Sequence, residues 1–148
     1  MLLPPGNPLK IAGLAEAVKK KLRVVNRPLG TSTRLLFERE LRRVGADPEQ
    51  VPGYDREVGR HLDVGLEILA GRADIGPAIR PVADLLGLDF LPLHWERFDL
   101  IIPTAGFFHP GVQQFLDLLN QPAFHTLAED LSGYDLRCSG RMMQRASS

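Results

Sequence analysis

The chain has 148 residues, enough for one domain with a core of its own. Its 18 Lys+Arg balance 18 Asp+Glu, and this neutrality argues against a general nucleic-acid binder, which needs a basic surplus. One cysteine, Cys138, excludes an internal disulfide and a Cys-based metal cluster, and no apolar run approaches the roughly 18–20 residues of a membrane span, so we expect a cytoplasmic protein.

Leu2-Leu3 is a short apolar run stopped by Pro4-Pro5-Gly6. A short helix follows, with Leu14, Ala17 and Val18 at i, i+3, i+4. "LRVVN" reads as a strand and "PLG" as a turn. Ser32 to Val44 reads as a helix burying Leu35, Leu36, Leu41 and Val44, with Gly45 ending it. After a Pro-containing connector, a second helix spans about Gly59 to Ala70, with Leu62, Leu66 and Leu69 on one stripe. "ADIGPAI" is the next strand, bent at Gly76-Pro77; "PVADLLG" is a short helix, "LDFLPL" a short strand, and "FDLIIP" the most apolar strand. Helices are expected at about Pro110 to Leu119 and Pro122 to Leu131, with a disordered tail after Gly140. Strands alternating with helices make the fold class α/β with a mainly parallel sheet, and ligands of such sheets sit at the carboxyl ends of the strands.

The junction Gly30-Thr31-Ser32-Thr33-Arg34 lies between a strand and a helix. The first turn of a helix has unpaired N–H groups and partial positive charge; three hydroxyls beside it make a workable oxyanion cradle. Arg34 adds charge or braces the loop, and a plain Ser/Thr cap is the competing reading. No Gly-Lys-Ser/Thr completes a P-loop. His61 opens the second helix and could line a cleft; Gly76 ends a strand where a ligand could approach the backbone. His94 and Glu96 form a His-x-Glu without the Pro-Cys-x-x-Cys that zinc deaminases need. Asp55, Glu57, Asp63 and Glu67 read as a solvated face. No nucleophile elbow and no acid/base set stands out, so an enzyme is not expected.

The motifs "GNPLKI", "VNRPLGTSTRLLFERELRRVG", "GYDREVGRHLDVGLEILAGRADIGPAI", "LGLDFLPLHWERFDLIIP" and "LSGYD" occur in order. As a set they resemble the periplasmic-binding-protein-like domain associated with molybdate. That domain is found fused to helix-turn-helix regulators and to molybdopterin-biosynthesis proteins of the MoeA type. The resemblance covers about residues 2–136. It implies a type II binding-protein fold over 1–136, with 137–148 as tail. On that pattern 9–93 form the second lobe, 1–5 and 99–103 are hinge strands lying side by side, and 110–131 are C-terminal helices returning to a first lobe that is largely missing. It implies non-catalytic binding of molybdate or tungstate, with sulfate or phosphate as further candidates, at Gly30, Thr31, Ser32, Thr33, Arg34, His61 and Gly76. It calls for no cofactor and no metal. Ser32 replaces a glycine usual in the family, Arg60 a threonine, and Pro77-Ala78 a Leu-Gly pair. The alternative is a degenerate lobe acting as an assembly module. The apolar stripe Val112, Phe115, Leu116, Leu119, continued by Phe124, Leu127 and Leu131, suggests a homodimer or a complex with a separate first-lobe chain through Phe115, Leu116, Leu119 and Phe124. No membrane contact and no direct nucleic-acid contact is expected.

Overall fold

The computed structural model describes residues 1–129 and 131–143. The chain divides into two compact units, Met1–Glu96 and Arg97–Ser148. Asp130 and residues 144–148, at the end of the last expected helix and most of the expected tail, lie outside the described residues.

The first unit is α/β. Strand β1 (Leu2–Leu3) pairs antiparallel with β2 (Asp89–Phe90), Leu2 opposite Phe90. Single bridges extend this pair: Leu2 to Gly76 antiparallel, Val24 to Ile75 parallel, and Asn26 to Glu57 parallel. Five extended segments therefore lie side by side, in the order of Glu57, Val24–Asn26, Ile75–Gly76, β1 and β2. The bonds Val25 N–H to Ile75 O (3.1 Å), Asn26 N–H to Arg56 O (2.7 Å) and Val58 N–H to Asn26 O (3.0 Å) hold the parallel part.

The period-2 alternation of side chains places one core on each face of this sheet. Leu3, Val24 and Ile75 pack with Leu14, Ala17, Phe37 and Leu41, from helices α1 (Leu14–Lys19) and α2 (Ser32–Arg43). Leu2 and Val25 pack with Val64, Ile68, Val82 and Ala83, from α3 (His61–Leu69) and α4 (Arg80–Leu86). Gly45, at φ +79°, ends α2 as its place after Val44 predicts.

Two expected stripes are displaced. On α2 the buried residues are Arg34, Phe37, Glu40 and Leu41, while Leu35 and Val44 are exposed. On α3 they are Val64, Gly65 and Ile68, while Leu66 and Leu69 are exposed. Gly65 explains the second shift. A Cβ there would come within 2.4 Å of Leu86 Cδ1 and 3.1 Å of Val82 Cγ1, so the bare glycine face is where α4 seats.

The second unit contains α5 (Thr104–Phe107), α6 (Pro110–Leu118) and α7 (Pro122–Glu129). The strand expected at 99–103 is absent: Leu100–Ile102 has no strand assignment, and β1 takes Asp89–Phe90 as partner instead. An apolar run becomes a strand only where a neighbouring backbone is in register to pair with it; "LDFLPL" met one and "FDLIIP" did not. None of the described residues of the second unit is buried.

Candidate functional site

The parallel segments ending at Asn26 and near Glu57 run directly toward α2 and α3, so two helix N-termini start beyond the carboxyl end of the sheet. Gly30 turns the chain at φ +82°, a conformation that suits a residue without Cβ.

Thr31 is a working N-cap. Its hydroxyl donates to Pro28 O (2.8 Å) and accepts from the Arg34 N–H (3.4 Å). Its carbonyl accepts the Leu35 N–H (3.1 Å). Thr31 therefore has no proton left for a ligand. The next two residues differ: among the described residues, the N–H and hydroxyl groups of Ser32 and Thr33 make no hydrogen bond, and Ser32 is exposed.

Arg34 braces the loop. Its side chain is 4% exposed; Nε donates to Glu38 Oε1 (3.1 Å), and Nη1 to Arg27 O (3.2 Å) and to Glu57. The guanidinium stacks over the Tyr54 ring at 4.6 Å, and the Tyr54 hydroxyl donates to Glu38. That hydroxyl, together with Arg34, holds the Glu38 carboxyl below its ordinary 4.5 against the effect of burial. Burial, then the bond to Glu38, pushes the Tyr54 phenol above its ordinary 10.0. With its charge matched by two carboxylates, Arg34 holds the shape of the loop.

Gly76 is also a structural position. Its N–H bonds Leu2 O (3.4 Å) and its carbonyl the Leu2 N–H (2.8 Å), so its amide is used within the sheet. A Cβ on it would lie 2.4 Å from Val64 Cγ1 and 2.8 Å from Val25 O, inside the core.

The side chains left unmatched are elsewhere. Arg27 follows the fully buried Asn26, whose Oδ1 accepts the Arg27 N–H (3.0 Å) and whose Nδ2 reaches Tyr54 O (3.4 Å). Arg27 Nε and Nη1 and His61 Nδ1 are buried atoms with no hydrogen-bond partner among the described residues. Burial first, then the Arg27 charge, pushes the His61 imidazole below its ordinary 6.5. Asp63 also feels Arg27, but its carboxylate is bound by Arg60, through the Arg60 N–H (3.1 Å) and Nη2 (2.9 Å). Buried guanidinium and imidazole nitrogens without partners are costly; an acceptor-only ligand satisfies the Arg27 nitrogens, and His61 Nδ1 when that nitrogen carries a proton.

A family model described as the PBP superfamily domain matches residues 1–120. The chain belongs to the periplasmic-binding-protein (PBP) superfamily. As a PBP-superfamily chain it is a binding-protein-type module. It is 26% identical over 138 residues to the uncharacterized protein YvgK of Bacillus subtilis (strain 168), a match covering 93% of this chain and 44% of YvgK. It is 31% identical over 110 residues to an uncharacterized protein in the ferredoxin 2Fe-2S gene 5' region of Clostridium pasteurianum, covering 74% of this chain and 97% of that protein. The chain thus spans less than half the length of the first relative and nearly all of the second. No solved structure matches it significantly.

For this PBP domain, the structure brings Ser32, Thr33 and His61 to the first turns of α2 and α3, gives Thr31 and Arg34 bracing roles, and puts Gly76 within the sheet. Sequence reasoning missed Arg27. Its signal was a cation directly after the last strand residue in "VNRPLG", which reads locally as part of a turn. Among the described residues no cluster of His, Cys, Asp or Glu is placed to hold a metal, and no helix is long and apolar enough to cross a membrane.

Proposed function

We propose that the first unit is the second lobe of a type II binding-protein domain, and that it holds a small oxyanion, molybdate or tungstate in the first instance, without catalysing a reaction. The observation that carries this reading is the set of buried nitrogens on Arg27 and His61 that have no partner among the described residues. The free N–H and hydroxyl groups of Ser32 and Thr33 support it. An oxyanion accepts several hydrogen bonds at once, and bonds from a guanidinium to an anion are among the stronger ones. Gly30, Thr31 and Arg34 shape the loop, and Gly76 packs within the sheet against Val64 and Val25. The family resemblance, rather than any feature of the donors, supplies the preference for molybdate and the link to molybdenum sensing or molybdopterin metabolism.

Titration calorimetry with molybdate, tungstate, sulfate and phosphate tests the reading. At least one should bind, and Ser32→Ala should weaken it roughly tenfold or more, since one charge-assisted hydrogen bond is worth about 1.5–3 kcal/mol. Absence of binding by all four oxyanions refutes it. One observation favours a second role, in assembly: the second unit buries none of its described residues, although α6 and α7 carry apolar side chains.

A further inference from the structure

Building on the oxyanion reading, we infer that the Arg27–His61 pair selects a doubly charged oxyanion and takes up one proton from solvent, onto the His61 imidazole, as the anion binds. Arg27 brings one permanent positive charge, and its buried Nε and Nη1 lack acceptors. His61 brings a buried Nδ1 that also lacks a partner. With no anion present, burial first and the neighbouring guanidinium second disfavour a charge on the imidazole. A dianion reverses the balance: one negative charge is matched by Arg27, and the second favours the imidazolium, whose N–H donates to it. Most other charged groups of the neighbouring segments are already matched, and Asp55 is exposed to solvent. Asp63 and Arg60, on α3 and at its cap, bind each other; Glu57 binds Arg34, which also binds Glu38. The Gly76–Ala78 segment brings no charge.

The test is calorimetry on the intact chain with sodium sulfate, sodium molybdate and sodium perchlorate, between pH 6.5 and 8.5, in buffers of different protonation enthalpy. The apparent enthalpy for sulfate and molybdate should change with buffer, corresponding to up to one proton taken up. Their affinity should fall with rising pH, at most about tenfold per unit. Monovalent perchlorate should bind much more weakly and without buffer dependence. His61→Gln keeps a donor but cannot titrate; it should bind the dianions with a buffer-independent enthalpy and a flat pH profile. Dianion binding with a buffer-independent enthalpy in the wild type overturns this inference and leaves the oxyanion reading standing. Proton uptake that persists in His61→Gln, or perchlorate binding as tight as sulfate, also overturns it. No binding by either dianion sinks both.

Discussion

Gly76→Ala separates two reasons for a glycine at the end of a strand. If Gly76 serves ligand approach, a methyl there harms binding and spares stability. The structure points the other way, because the added Cβ would face the core. It would lie 2.4 Å from Val64 Cγ1, 2.8 Å from Val25 O and 3.0 Å from Val25 Cγ1. A valine methyl yields by rotation; a carbonyl in a paired segment does not, because Val25 is tied to Ile75 through its own N–H. Overpacking of this kind costs about 1–3 kcal/mol, and an immobile carbonyl argues for the upper half.

The first unit spans Met1–Glu96, and a domain of that size loses about 4–8 °C of Tm per kcal/mol. We expect Gly76→Ala to melt about 10–20 °C lower by circular dichroism, with oxyanion affinity unchanged below the transition. Val64→Ala alone removes two carbons, about 1.6 kcal/mol of transfer plus a cavity term. Combined with Gly76→Ala it relieves the shortest contact, so the double variant should be more stable than the two single losses imply, by about 1 kcal/mol. A Gly76→Ala protein melting within about 2 °C of wild type would refute the packing argument and return Gly76 to the ligand side.

Arg34→Met should cost about 3 kcal/mol, mainly by leaving Glu38 poorly matched in its buried position, because Glu57 is 36% exposed and recovers water; a melting curve checks it. The wild type should lose stability at both ends of the pH scale. The depressed Glu38 carboxyl contributes above the ordinary 4.5, a contribution lost as pH falls through its lower folded value; the raised Tyr54 phenol contributes below 10.0, a contribution lost as pH rises past it. Urea midpoints across pH would show it, and a flat profile would contradict both. Thr31→Ala should cost about 1 kcal/mol of stability with little change in anion affinity, since its hydroxyl is already used within the loop. We also propose that Phe115, Leu116, Leu119 and Phe124 bury against a second copy or a separate first-lobe chain; sedimentation equilibrium at micromolar concentration should show a dimer for the first form, and Phe115→Asp should abolish it.

What was legible in the sequence followed from local chemistry. Gly30, Thr31 and Gly45 mark the ends of α2 because turn and cap preferences are properties of a few adjacent residues. The alternation of strands and helices gave the α/β class for the same reason. Pairing was not legible. "FDLIIP" is the more apolar run, yet the less apolar "LDFLPL" supplies the strand, because Asp89–Phe90 comes into register with Leu2–Leu3. The buried face of α2 was misplaced for a related reason: Arg34 turns inward because Tyr54 and Glu57, some twenty residues away, join Glu38 in receiving it. Helical periodicity alone assigns an arginine to water.

The cradle shows most clearly where sequence reading stops. A cap and an anion cradle are competing readings of Thr31-Ser32-Thr33 only while the three hydroxyls are treated as equivalent. The fold makes them unequal. Thr31 spends its hydroxyl on Pro28 O and the Arg34 N–H, which completes the cap and fixes the direction of the first turn. Ser32 and Thr33 then sit on a helix start that needs nothing more from them within the chain. Capping by Thr31 thus leaves the next two residues without a hydrogen-bond partner among the described residues, as the proposed oxyanion site requires. The same division applies to the two cations nearby. Arg34 is consumed by Glu38 and Glu57 and holds the Arg27 carbonyl, so the backbone of Arg27 is fixed while its guanidinium stays unmatched. The arginine inside the family motif is the scaffold, and the arginine in the turn before it is the one chemically left open.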